Sequence, residues 1–148
     1  MGNAMRVVGR PMKASQAFER TLPVLNGQNR YFWTSGESGR LQILRCAACR
    51  HWVHPAGPVC PRCLARDAKP EAVSGLGTIA TFTVNHQPWR PGVPVPFVIA
   101  IVELDEQPGL HLTTNIVGCE PDDVRVGQRV RVCFERHEDV YLPLFELV

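Results

Sequence analysis

The sequence predicts a mainly β protein in three parts: a short N-terminal helix, a cysteine-rich module and a five-stranded barrel. Three observations carry that prediction. Two Cys-x-x-Cys pairs lie close together, at Cys46, Cys49, Cys60 and Cys63. Short stretches rich in β-branched and aromatic residues follow one another through residues 79–148. Helical pattern is confined to the residues ahead of the cysteines.

Residues 1 to 28 are weakly patterned, with a short helix expected around Ser15 to Arg20. Met1 to Ala4 reads as a cloning remnant ahead of a native start at Met5. A second helix is expected around Asn29 to Gly36, carrying Tyr31, Phe32 and Trp33 and ended by Gly36 and Gly39. The cysteine module runs from Leu41 to Glu71, and its Pro and Cys content argues against long regular elements.

From Gly75 onward the signal is β. Strands are expected at Ile79 to Val84, Phe97 to Leu104, Leu110 to Val117, Val130 to Glu135 and Leu144 to Val148. The fourth alternates, with Val130, Val132 and Phe134 on one face and Arg131, Cys133 and Glu135 on the other. Five such strands with little helix do not make a parallel α/β sheet. A small closed barrel of the OB-fold type is the economical arrangement. The expected division is 1–40 for tail and helix, 41–73 for the cysteine module and 74–148 for the barrel.

Phe97 to Leu104 (FVIAIVEL) is apolar on both faces, whereas a barrel strand wets one of them. Its outer face needs a cover. Either the cysteine module or the N-terminal helix packs there, or a partner protein does.

Bulk properties limit the function classes. The chain has 148 residues, 45% of them hydrophobic and 20% charged, as in a globular protein. A net charge of +2 makes no bulk case for nucleic acid. No apolar run reaches the length of a membrane span. The N-terminus lacks the apolar core of a signal peptide, so a cytoplasmic location is expected. Thiols stay reduced there, which turns the paired cysteines from a disulfide framework into a metal site.

The four cysteines fit a structural zinc ion. Zinc takes four soft ligands in a tetrahedron, and each Cys-x-x-Cys knuckle offers two thiolates to one ion. A closed set of four leaves no position for a reacting water. Arg45, Arg50, Arg62 and Arg66 lie nearby to offset the thiolate charge. A thioredoxin-like redox pair needs a βαβ setting that is absent here. His51 and His54 are not needed as ligands once four thiolates are present. Glycine often follows the second cysteine of a knuckle because the backbone there favours positive φ; this sequence has Arg50 and Leu64.

No catalytic constellation stands out. The five histidines lack partners at a telling spacing, and no Gly-x-Ser-x-Gly nucleophile motif occurs. Gly75-x-Gly77 lacks the third glycine and helix of a dinucleotide site, and reads as a strand-entry turn. Cys119 and Cys133 read as free structural thiols. The loop from His86 to Pro96 (HQPWRPGVPVP) is the best contact candidate. Its four prolines stiffen it, and Trp89 and Arg90 are residue types that anchor interfaces. The plainer reading is a long barrel loop with a half-buried Trp. His86, Trp89 and Arg90 are the residues expected to make a contact there.

These motifs in this order resemble the DUF35 family. The resemblance rests on Phe32-Trp33, Gly39-Arg40-Leu41, Cys46-x-x-Cys49, Pro55, Cys60-Pro61-x-Cys63, Gly75-x-Gly77-Thr78 and Phe82-Thr83-Val84. It continues through Val102-Glu103-Leu104, Val126-Gly127 and Leu142-Pro143-Leu144-Phe145, and covers roughly residues 30 to 147. It implies an N-terminal helix, a rubredoxin-like zinc ribbon and a C-terminal OB-fold. It further implies work with acyl-CoA enzymes. Members of the family bind thiolase-like or lipid-transfer-protein-like subunits, bridging a thiolase to the next enzyme or completing a steroid side-chain aldolase. The thiolase-like subunit carries the chemistry, and its dimeric habit implies a heterotetramer with two copies of each chain.

The leading expectation is thus a non-catalytic accessory subunit that stabilises a thiolase-like partner and shapes its acyl-CoA site. The alternative is a zinc-ribbon and OB-fold module for single-stranded nucleic acid, which needs a basic groove with stacking aromatics. The second and third expected strands offer Phe97 and His111 but no lysine or arginine, so nucleic acid is disfavoured. A self-sufficient acyl-CoA enzyme lacks a nucleophile in context.

Overall fold

The computed structural model describes residues 20–148. Apart from Arg20, the helix expected around Ser15 to Arg20 lies outside the described residues. The second helix is present but shorter than expected: α1 spans Arg30–Trp33, and a 3₁₀ turn follows at Ser35–Ser38. Gly36 permits the change of winding. A Cβ there would stand 2.5 Å from the Tyr141 Cβ and 2.6 Å from the Phe134 ring, so only glycine lets the turn press onto the barrel. Gly39, at φ 71°, closes the turn in the left-handed region.

Three strands follow: β1 (Gln42–Cys46), β2 (Trp52–Val53) and β3 (Ala68–Ala72). They form an antiparallel sheet in the order β2-β1-β3. The cysteine module is therefore more regular than its Pro and Cys content suggested. β1 supplies the reason: Leu41 and Ile43 are fully buried, and fixing that face aligns both flanking segments for pairing.

The barrel comprises β4 (Leu76–Asn85), β5 (Phe97–Leu104), β6 (His111–Val117), β7 (Arg129–His137) and β8 (Val140–Leu147). It closes in the order β4-β5-β6-β8-β7, with β7 returning to β4. Neighbours run antiparallel except β6 and β8, which pair in parallel at Ile116 with Phe145 and Val117 with Glu146. This is the OB-fold arrangement expected from the strand count. β4 exceeds its expected length because one strand serves two neighbours. A register shift between Ile79 and Thr81 bends it from β7 toward β5.

Gly75 and Gly77 make the strand entry tight. Gly75 has φ 77° and lies against Val132, and a Cβ on Gly77 would stand 2.6 Å from the Glu103 carbonyl oxygen. The barrel core gathers Ile79, Val102, Val124, Val130 and Phe145, all fully buried. The same core continues through Phe32 of α1 and through Leu41, Ile43, Trp52 and Val73 of the cysteine module. Among the described residues, no helix is long and apolar enough to cross a membrane.

On β5 the inward positions Val98, Ala100, Val102 and Leu104 are buried. On the outward side Ile99 is 36% exposed, and Phe97 and Ile101 are half-buried. The described residues thus leave the outer face of this strand incompletely covered.

Candidate metal centre and the proline loop

The first cysteine pair ends β1 and turns the chain back as β2, while the second sits in the loop before β3. Both build the same local structure. The Cys46 N–H donates to the His51 carbonyl at 2.9 Å, and the Arg50 N–H donates to the Cys46 carbonyl at 3.0 Å. In the second knuckle, the Cys60 N–H donates to the Ala65 carbonyl at 2.8 Å and the Leu64 N–H to the Cys60 carbonyl at 2.9 Å. Arg50 and Leu64 stand at φ 62° and 64°. The left-handed turn that usually recruits glycine is thus made here by two side-chain-bearing residues. Each costs about 1–2 kcal/mol of local strain relative to a relaxed conformation.

All four Sγ atoms lie within 4.8 Å of one another. The closest approaches run between knuckles, Cys46 to Cys63 and Cys49 to Cys60, each at 3.6 Å. A tetrahedron of sulfurs about 2.3 Å from a zinc ion has edges of about 3.8 Å, so the cage has the size of that ion. The four sulfurs also show why the site calls for a cation. Cys60 is drawn down to about 7: burial raises it, but backbone N–H groups of Cys63 and Arg62 outweigh that. Cys63 accepts a lowering bond from the Ala65 backbone, yet contacts with Cys49, Cys46 and Cys60, together with burial, push it up to about 12. The sulfurs compete for protons, and a dication relieves that competition.

The arginines divide into two kinds. Arg45 and Arg50 share Glu71, at 2.9 and 3.1 Å, and Arg45 lies 4.6 Å over the Trp52 ring. They brace β1 against β3, while Arg62 and Arg66 are exposed. His51 and His54 lie outside the ligand set. His51 Nε2 is 3.4 Å from the Gln107 amide nitrogen, and His54 stacks on Phe32 with ring centres 5.0 Å apart. His54 Nδ1 is buried without a partner, and burial lowers its pKa.

One residue that sequence reading did not single out ties this module to the barrel. Gln107, in the β5–β6 turn, accepts from the Trp52 N–H at 2.9 Å and donates to the Trp52 carbonyl at 3.1 Å. Its amide occupies both backbone groups of Trp52 on the edge strand β2. No local motif marks a glutamine that pairs across 55 residues of sequence.

The loop residues His86, Trp89 and Arg90 are all exposed. Trp89 is 77% exposed, which overturns the reading of a half-buried Trp. Its indole N–H donates to Asn85 Oδ1 at 3.0 Å. The Arg90 guanidinium donates to the Thr21 hydroxyl. Arg90 also lines a cleft of about 340 Å³, together with Arg20, Trp33, Thr113, Asn115 and Leu142. The cleft opens beside the point where β6 and β8 cease to pair and the Thr114 hydroxyl donates to the Pro143 carbonyl at 2.9 Å instead. Trp89 and His86 are not among its lining residues. Arg20 donates to Glu135 at 2.6 Å and to Asn115 at 3.4 Å, and Glu135 also meets His137 at 2.6 Å. Burial raises the Glu135 carboxyl, but Arg20 and His137 outweigh it and hold it below the usual range. This network spans 115 residues of sequence, which is why the strand pattern alone did not reveal it.

Two family models match consecutive parts of the chain: the ChsH2 rubredoxin-like zinc ribbon domain over residues 33–68 and the ChsH2 C-terminal OB-fold domain over residues 70–135. A probable enoyl-CoA hydratase alpha subunit of Thermomonospora curvata is 36% identical over 142 residues, covering 92% of this chain and 44% of the relative. A DUF35 domain-containing scaffold protein of Methanocaldococcus jannaschii is 37% identical over 95 residues, covering 63% of this chain and 66% of the relative. The chain thus spans less than two thirds of the length of either relative. The solved structure of an Ltp2-ChsH2(DUF35) aldolase superposes with a TM-score of 0.76 at 35% identity, covering 85% of this chain and 98% of that one.

Proposed function

Because the chain belongs to the DUF35 family, with its zinc ribbon and OB-fold, we propose that it is the accessory subunit of an acyl-CoA enzyme whose thiolase-like partner carries the reacting groups. In this reading the chain stabilises that partner and helps shape its acyl-CoA site. The reaction is a retro-aldol cleavage of a steroid side chain or a thiolase-type step, and the assembly is a heterotetramer. One observation carries the reading: nearly the whole DUF35 chain of a solved aldolase superposes on this one at 35% identity.

The local chemistry supports a non-catalytic role. Burial pushes the Cys133 thiol up to about 12 and also raises Cys119, so neither is a ready nucleophile. Within this proposal Cys46, Cys49, Cys60 and Cys63 hold one structural zinc, whose contribution is to bind the two knuckles together. His86, Trp89 and Arg90 stand on the stiff exposed loop where a partner or the acyl-CoA is met.

The test has two stages. Tagged protein is used to capture partners from its host's lysate, and the bound proteins are identified by mass spectrometry. Recovery of a thiolase-like protein in near-equal amount is expected. That protein is then assayed with and without this chain for acyl-CoA turnover and melting temperature. Unchanged rates and stability, or no thiolase-like protein at all, would sink the reading.

A further inference from the structure

The outer face of the sheet formed by β4, β5 and β6 is uncharged over most of its length. Its apolar centre is Phe97, Ile99 and Ile101. The register places Asn85, Thr83 and Thr81 opposite these three on β4. Asn115 and Thr113 stand opposite Ile99 and Ile101 on β6. A solvent-facing side of an antiparallel sheet normally alternates polar and charged residues outward; this one presents isoleucines among threonines.

The proline loop extends the same strip. Asn85 faces Phe97 in the register and accepts the Trp89 indole N–H, which holds the exposed ring beside the strip. Asn85 Nδ2 in turn donates to the Gln87 carbonyl at 2.7 Å, fixing the loop base. Val95, in the same loop, is 38% exposed. Pro88, Pro91, Pro94 and Pro96 limit what the loop loses in freedom on docking. An exposed Trp held in one orientation on a stiff loop is already arranged for contact.

Charge selects the occupant. Arg90 donates to the Thr21 hydroxyl, and among the described residues no carboxylate is recorded against it. The neighbouring carboxylates are engaged. Glu135 is held by Arg20 and His137, and Glu103 meets the Gly109 N–H and His111. A second copy of this chain would bring the same strip and the same arginine, and the one carboxylate on this face, Glu103, is already held by the Gly109 N–H and His111. Residues 1–19 carry Arg6, Arg10 and Lys13 against Glu19, the wrong balance for this rim. A nucleic acid would find one unneutralised cation, too few for a backbone track.

We propose that Trp89 and the outer face of β5 form the docking surface for a partner protein that presents an apolar ridge bordered by a carboxylate, which pairs with Arg90. This rests on the accessory-subunit reading and assigns the surface through which the partner is held.

The experiment uses the full chain and the thiolase-like protein recovered above, with affinity measured by calorimetry. Trp89→Ala, Ile99→Glu and Arg90→Glu are compared after melting and metal content confirm folding. Trp89→Ala is expected to weaken binding about 30-fold and Arg90→Glu about 10-fold, in keeping with losses at anchoring residues. Amide exchange is expected to slow on residues 81–85 and 97–101 in the complex. If wild type binds a thiolase-like protein and all three variants bind it equally, the surface is wrong and the accessory reading stands. If wild type binds none, both fall. Self-association abolished by Ile99→Glu, or micromolar quenching of Trp89 fluorescence by a thymidine oligonucleotide, overturns the proposal in favour of those occupants.

Discussion

Replacing Gln107 with leucine removes the amide that pairs with both backbone groups of Trp52. Leucine keeps the bulk of the side chain but leaves one N–H and one carbonyl without their partner. An orphaned buried group costs about 1–3 kcal/mol, and the partial burial here puts each near the low end. The loss is then about 2–3 kcal/mol, or about 6–9 °C in melting temperature for a chain of this size. Gln107→Glu is the informative companion. A carboxylate still accepts from the Trp52 N–H but sets an oxygen against the Trp52 carbonyl where the amide donated, so it too should melt below wild type. The assay is thermal unfolding at fixed zinc concentration, joined with amide exchange at Trp52. A Gln107→Leu protein that melts with wild type, and whose Trp52 amide exchanges no faster, would refute the claim that this side chain seals β2 and fixes the cysteine module to the barrel.

Elemental analysis of folded protein should find about one zinc per chain, and Cys60→Ala should lose it; well under one metal in a folded wild-type sample would overturn the zinc assignment. Leu64 is 71% exposed at φ 64°, so Leu64→Gly should be neutral or stabilising by up to about 1 kcal/mol, whereas Leu64→Val should be destabilising, as the chemical denaturation midpoint reports. The folded pKa of His54 lies below its ordinary 6.5, so its contribution is complete above that value and is lost as pH falls from 6.5 toward the folded pKa. His54→Phe should therefore lose less stability than wild type on going from pH 7 to pH 5; parallel curves would count against a buried neutral imidazole. Glu135 is the opposite chemical case with the same sign: its depressed carboxyl stabilises above 4.5 and ceases to as pH falls through its folded value, so Glu135→Gln should flatten the acid limb of the stability curve.

What could be read in advance was what repeats locally. β5 lay within its expected bounds because a bounded apolar run has a clear start and stop. The cysteine cage was legible because both knuckles are written in adjacent residues. The strands that came out longer, β4, β7 and β8, extend through residues whose own pattern does not mark them: Leu76 pairs with distant Arg131, and His137 with Val140 across a tight turn. The sheet of the cysteine module was hidden for a similar reason. β3 contains Lys69, Pro70 and Glu71, which have no strand pattern and pair only because β1 holds them in register. Gln107 and the Arg20–Glu135 pair were missed because contacts between side chains far apart in sequence leave no periodic trace.

The division of the buried residues shows what a metal at the cysteines would add to the barrel. The cysteine end has a small core of its own, built on Cys46, Val53 and Cys60. That is too little apolar surface to order a segment of this length against its conformational entropy. The other end of the same module differs. Leu41, Ile43, Trp52 and Val73 belong to the barrel core, so its inner half is held whether or not the knuckles are tied. Metal removal should accordingly free the amides of Arg50 and Leu64 while those at the inner end of β1 stay protected. The strain at Arg50 and Leu64 fits the same account. Two residues held in the left-handed region persist only where something stronger fixes the turn, and four thiolates on one ion would supply that constraint.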